Sequence, residues 1–218
     1  MKPKLIIGNK NYSTWSLRPW LLMREAGIEF EEHRISLDTE TTASEIAAFG
    51  AGRTVPILQL GDLTVWDSLA ICETVAERWP DKQLWPADPD MRAFARSISA
   101  EMHSGFQVLR ECMPMNCRAM GRIVTLPDEL TDDIDRVIAI WSHCHNHYSK
   151  DGGWLFGEFS VADAMFAPVV LRFRTYGINL PESAGFFPHR VLESEAMQEW
   201  LAAAETEVEV IEADEKGR

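Results

Sequence analysis

Three short stretches of this 218-residue chain carry side chains able to do chemistry. Asn11-Tyr12-Ser13-Thr14 offers hydroxyl and amide donors just ahead of a predicted helix. Such donors stabilise a thiolate, whose unperturbed pKa is about 8.5. Taken alone, Ser13 serves equally well as a plain N-cap. Asp67-Ser68 stands between a predicted strand and a helix start. Free N–H groups and the positive end of the helix dipole hold a carboxylate there, with the Ser68 hydroxyl as a further donor. Asp67 can pair with an ammonium, so the two residues match the charges of an amino-acid head group; equally, one of them is the cap of its helix. Arg53-Thr54-Val55-Pro56 puts a proline at the mouth of a strand. A trans proline opening an edge strand is the commoner arrangement. A cis bond would turn the Val55 N–H and C=O outward as a template for an extended peptide ligand.

Composition narrows what these groups serve. Hydrophobic residues make up 46% and charged residues 25%, an ordinary globular mixture. Asp and Glu number 34 against 21 Lys and Arg, a net charge of −13 that disfavours nucleic acid and anionic membrane surfaces as partners. A small ligand fits better. The opening MKPKLIIGNK lacks the long apolar core of a signal peptide, and no stretch reaches the ~20 apolar residues of a membrane span. Cys72, Cys112, Cys117 and Cys144 form no C-x-x-C pair and read as reduced thiols, which points to a cytoplasmic protein. His143 and His147 share a helix face, but His145 points elsewhere and no nearby carboxylate completes a ligand set. A polar helix face is expected there, and no metal.

The elements that must position these groups change character along the chain. The first ~80 residues alternate apolar runs with helical periods, the α/β signature. Strands are predicted over 4–7 and 29–35, with a helix from about Ser13 to Ala26 between them. Thr42-Ala-Ser-Glu45 has the capping-box pattern for a short helix. Gly61-Asp62 turns a hairpin between 56–60 and 63–66, and a helix follows over 68–79. Pro80, Pro86 and Pro89 mark a linker, after which strand signals vanish. Met91, Phe94, Ala95, Ile98, Met102, Phe106 and Leu109 predict one long amphipathic helix, and Ile134 to Tyr148 another. Ser160-Val-Ala-Asp163 is a second capping box, and the apolar run behind it predicts a central buried helix. Glu195 to Ala204 forms the last helix, and the acidic tail to Arg218 is expected to fray.

Taken in order, the strand-helix pattern, Thr-Val-Pro, Trp-Asp-Ser, the proline-rich linker and the capped Ser-Val-Ala-Asp-Ala helix resemble the cytosolic glutathione transferase superfamily across residues 4–204. Asn-Tyr-Ser-Thr-Trp-Ser-Leu-Arg-Pro-Trp is most similar to bacterial members near the zeta class, whose motif reads Ser-Ser-Cys-Ser-Trp-Arg-Val-Arg. The resemblance implies an α/β thioredoxin-like N-terminal domain over 1–79 and a linker over 80–90. An all-α C-terminal domain over 91–218 would line the electrophile pocket. It implies that Val55, beside a cis Pro56, pairs its backbone with the cysteinyl part of glutathione as co-substrate. Ser68 would hold the γ-glutamyl carboxylate and Asp67 the ammonium. Aligning Trp15 and Arg18 with the zeta motif leaves the thiolate donor among Asn11, Tyr12, Ser13 and Thr14, with Ser13 first and Asn11 second. Met102, Phe106 and Met113 lie on the helix that lines the second-substrate pocket, or pack between domains. Arg110 meets an anionic substrate or an acidic neighbour. The implied activity is thiolate attack on a small hydrophobic electrophile by a cytoplasmic homodimer acting in detoxification. The alternatives are isomerisation of a maleylacetoacetate-type diacid, and a binding protein without chemistry.

Overall fold

The computed structural model describes residues 2–50, 52–149 and 153–218. A four-stranded sheet of order β2-β1-β3-β4 is built from β1 (Lys4–Ile7), β2 (Glu31–Arg34), β3 (Ile57–Leu60) and β4 (Leu63–Trp66). β1 runs parallel to β2 and antiparallel to β3, pairing Leu5 with Leu58 and Ile6 with Ile57. Leu60 pairs with Leu63, which closes the hairpin at Gly61-Asp62; Gly61 takes the φ of +63° that a side chain would resist. β1 is apolar on both faces because both are covered. Leu5 and Ile7 join the main core beneath α1 (Thr14–Glu25) and α3 (Ser68–Arg78). Ile6 points the other way, into a small cluster with Ile35, Val55, Ile57 and Ile46 of α2 (Thr42–Ala47).

The remainder is helical: α4 (Pro89–Ser104), α5 (Gln107–Cys112), α6 (Asp128–His147), α7 (Val161–Tyr176), α8 (Phe187–Glu193) and α9 (Glu195–Glu205). α7 is buried on every side and packs against both α1 and α4. Its capping box forms as expected, Ser160 and Asp163 each satisfying the other's backbone. No helix among the described residues is long and apolar enough to cross a membrane.

Three expectations from the sequence are corrected. The long helix from Met91 breaks at Gly105, and Phe106 takes a left-handed φ of 59° before α5 begins. The freed carbonyls at the end of α4 are claimed by a side chain, since the Arg110 guanidinium donates to Gly105 O (3.0 Å) and to Met102 O. The box predicted at Thr42 does not form, because Thr42 Oγ1 donates to Ser36 O (2.8 Å) and Thr41 caps without a side-chain bond. The acidic tail does not fray: Ile211 is buried, and the Glu207 and Glu215 side chains are only 7% and 6% exposed. Acidic character alone misleads here, because buried donors wait for these carboxylates.

Asp163 accepts from Leu155 N (2.8 Å), Ser160 N (2.8 Å) and Ser160 Oγ (2.7 Å) at zero exposure. Asp163→Ala leaves two buried N–H groups unpaired and is expected to cost about 3 kcal/mol or more in urea unfolding. Burial pushes this carboxyl from 3.8 up to about 6, against the hydrogen bonds that lower it. A carboxyl raised on folding stabilises below its unfolded pKa and loses that increment as pH rises through its folded one. The stability advantage of the wild type over Asp163→Asn should therefore narrow between pH 4 and 7.

Candidate functional site

The loop from Gly8 to Ser13 joins β1 to α1, and its last residue caps the helix. Ser13 Oγ accepts from Ser16 N (3.3 Å) and donates to Ser16 Oγ (2.8 Å), which in turn accepts from Gly8 N (3.0 Å). Thr54 and Val55 precede β3, and the Val55–Pro56 peptide bond is cis. Ser13 and Val55 line the same cleft, of about 370 Å³, together with Thr14, Trp15, Arg110 and Arg172. A larger cleft of about 630 Å³, between the 82–88 segment and Phe156 to Ser160, contains none of the candidate residues.

Asp67 and Ser68 stand beyond the residues that line the smaller cleft, linked to it through Trp15. The Trp15 ring meets His103 edge-on at 5.4 Å, and His103 Nε2 lies 3.0 Å from Asp67 Oδ2. Asp67 is the cap of α3: with a φ of 72°, its Oδ1 accepts from Leu69 N (2.9 Å) and Ala70 N (3.3 Å). Ser68, at the first position of α3, is 1% exposed, and its Oγ has no partner among the described residues. A buried hydroxyl without a partner is uncommon and suits a ligand that arrives with an acceptor.

The other loop candidates are engaged elsewhere. Asn11 is fully buried: its Nδ2 donates to Asn116 Oδ1 (3.0 Å) and its Oδ1 accepts from Arg118 N (2.9 Å). It is a bracket between two loops and is absent from the cleft wall. Tyr12 lines the cleft, but its hydroxyl donates to Glu215 Oε1 (2.8 Å) and accepts from Arg118 (3.1 Å). Burial, followed by the Glu215 hydrogen bond, raises its pKa above 10 and keeps the phenol neutral. Met102, Phe106 and Met113 belong to the buried core, so packing is their role, and Met115 reaches the cleft instead. His143 and His147 stack ring on ring at 4.2 Å, and no group of three or more His, Cys, Asp or Glu among the described residues could hold a metal.

Sequence reasoning named Arg110 but missed the cluster of cations to which it belongs. Arg18 is wholly buried, with Nε on Met165 O (3.3 Å) and its guanidinium over the Trp15 ring at 4.4 Å. Arg110 lies over the same ring at 4.8 Å. Arg172, 5% exposed, donates to Arg110 O (3.3 Å) and Met113 O. Burial and then the Arg110 charge lower Arg172 to about 10; burial, Arg110 and Arg172 drive Arg18 well below 12.5. These are cations in want of an anion. A signal was available, since Arg172 directly follows the apolar run of α7 on a helix predicted to be buried all round, where an arginine is out of place unless it has work to do.

The chain resembles known proteins in both sequence and fold. The family described as "Glutathione S-transferase, N-terminal domain" matches residues 12–78. The chain is 32% identical over 108 residues to a probable maleylacetoacetate isomerase of Caenorhabditis elegans, a match spanning half of each chain. It is 27% identical over 186 residues to the maleylacetoacetate isomerase of Rattus norvegicus, covering 82% of each. In three dimensions it superposes with a TM-score of 0.70 on a bacterial zeta-class maleyl pyruvate isomerase, at 21% identity over 92% of this chain and 97% of the other. Residues 12–78 thus match the glutathione S-transferase N-terminal domain, and the chain as a whole has the fold of solved glutathione transferases.

Proposed function

We propose that this protein binds glutathione against residues 1–79, lowers the pKa of its thiol at Ser13, and presents it to an electrophile held by residues 91–218, with 80–90 as linker. Glutathione, when bound, supplies the sulfur nucleophile; the rest is the work of this chain's residues. The observation that carries the reading is the convergence of Ser13 and Val55 on one cleft, walled by the buried Arg172 and the half-buried Arg110. The Val55 backbone pairs with the extended tripeptide. The Ser68 hydroxyl, lacking a partner of its own, takes the γ-glutamyl carboxylate at the α3 N-terminus. Asp67 faces the ammonium through the oxygen it shares with His103. Ser13 turns its hydroxyl hydrogen from Ser16 towards the sulfur, at the positive end of α1. Each pKa unit removed from the thiol corresponds to about 1.4 kcal/mol of preference for the charged form. The exposed Leu63 and Trp66 on the edge strand β4 support the further reading of a homodimer, and the four free thiols support a cytoplasmic setting.

A second reading has an observation of its own. Arg110 and Arg172 give the cleft a positive wall, which suits a carboxylate-bearing electrophile better than a purely apolar one. Reversible thiol addition to a maleylacetoacetate-type diacid would isomerise it with no net change in glutathione, and the isomerase relatives point the same way.

Ser68→Ala should weaken glutathione binding about tenfold in calorimetry while leaving thermal stability unchanged, since no internal hydrogen bond is lost. An unaltered Kd would remove Ser68 from the site. Ser13→Ala should raise the bound-thiol midpoint, read as thiolate absorbance against pH, by about one unit. For the second substrate, short unsaturated dicarboxylates should compete with a neutral aromatic electrophile, and more strongly than their monomethyl esters. Turnover of the neutral compound with no inhibition by dicarboxylates would rule out the diacid reading.

A further inference from the structure

The loop that presents Ser13 has its carbonyls tied from within the helical region. Lys10 O accepts from Trp200 Nε1 (2.9 Å), and Asn11 O accepts from Cys117 N (3.1 Å). Its N–H groups are tied differently. Lys10 N donates to Glu207 Oε1 (2.7 Å) and Asn11 N to Glu207 Oε2 (2.9 Å), so one carboxylate clamps two successive amides. One residue further along, the Tyr12 hydroxyl donates to Glu215, which also accepts from Asn116 Nδ2 (2.8 Å) and Arg122 (2.6 Å). Arg118 closes the circuit, donating to Tyr12 Oη (3.1 Å), Glu209 O (2.8 Å) and Glu207 O. The segment 206–218 therefore runs along the activating loop as a strap.

We propose that residues 206–218 position the thiol-activating loop, Glu207 through the amides of Lys10 and Asn11 and Glu215 through Tyr12, so that Ser13 meets the sulfur at a fixed place. This rests on the reading of residues 11–14 as the activating loop given above. Two of the strap's carboxyls are held in the charged form at neutral pH. Burial of Glu209 is outweighed by hydrogen bonds from Arg34 and Ser36, which hold it down to about 2. Glu215 lies below its ordinary value despite burial, through Tyr12 and Asn116. The strap also ends on a position only glycine fills. Gly217 has a φ of +72°, and a Cβ there would stand 2.7 Å from Ile123 O. Gly217→Ala thus dislodges the strap without touching a charge.

The test is the bound-thiol midpoint in the full-length protein, with S-methylglutathione affinity measured separately because that probe has no thiol to ionise. Glu207→Ala should raise the midpoint by about one unit, a tenfold loss of thiolate at neutral pH, with S-methylglutathione Kd changed less than about threefold. Glu207→Gln, which keeps one acceptor, should restore part of the shift. Gly217→Ala and Glu215→Gln should move the midpoint in the same direction, and they carry the test should Glu207→Ala not fold. Unshifted midpoints in folded strap variants would overturn the proposal. Ser13→Ala separates the two readings. If it leaves the midpoint unmoved while strap variants raise it, another donor in the loop replaces Ser13 and the strap stands. If Ser13→Ala raises it and strap variants do not, the strap falls alone. A wild-type midpoint equal to that of free glutathione would overturn both.

Discussion

Burying a guanidinium is costly unless its N–H groups find acceptors, and this protein buries two, Arg18 and Arg172, with a third, Arg110, half-buried beside them. The irregular parts of the helical region follow from that constraint. Arg110 takes the carbonyls that the end of α4 cannot use, and Arg172 takes those of Arg110 and Met113 where α5 ends. Arg18 reaches across from α1 to Met165 on α7. Each cation thus donates to backbone oxygens, which supply hydrogen bonds but no full negative charge. Arg18 Nη1 is left without a partner among the described residues. The charge remains available to whatever enters the cleft. Acceptors that satisfy geometry without neutralising charge are what a site for a thiolate or carboxylate needs.

Net charge and local charge therefore have opposite signs. A total of −13 keeps polyanions away at long range, but screening limits that field to a Debye length of about 8 Å. Within the cleft the nearest fixed charges are the arginines, with Asp214 of the strap on the wall opposing them. Burial raises Asp214 and the Arg172 charge pulls it back, so this carboxylate tempers the positive wall without cancelling it. A small anion that reaches the mouth meets attraction that a phosphate backbone, held off by the acidic surface, does not.

The sheet, its hairpin and the α7 capping box were legible because each rests on local rules: alternation, Gly-Asp at a turn, Ser and Asp three residues apart. Ser13 and Val55 could be named from sequence, but their convergence could not, since it depends on β1 and β3 pairing across 50 intervening residues. The break at Gly105 was hidden because an apolar period continues straight through it; only the demand of Arg110 for carbonyls decides the matter. The strap was illegible for a related reason. Acidic residues read as solvated until the donors that await them are known, and those donors lie nearly two hundred residues away in sequence.

His103 sets what Asp67 can do for an incoming ammonium. Were the imidazole charged, Asp67 would already be neutralised and would have little left to offer. Burial lowers the His103 pKa, and the nearby Arg18 and Arg110 charges lower it further, outweighing the pull of Asp67 towards protonation. A neutral ring with Nε2–H directed at Asp67 Oδ2 leaves Nδ1 as a lone pair, and that buried atom indeed has no partner among the described residues. His103 then orients the carboxylate by a hydrogen bond and subtracts nothing from its charge. Burial first, and the same arginines after it, keep His103 neutral, so that under the proposed function the ligand's ammonium would meet an undiminished Asp67. The two ends of the site are coupled through one cluster of buried charge.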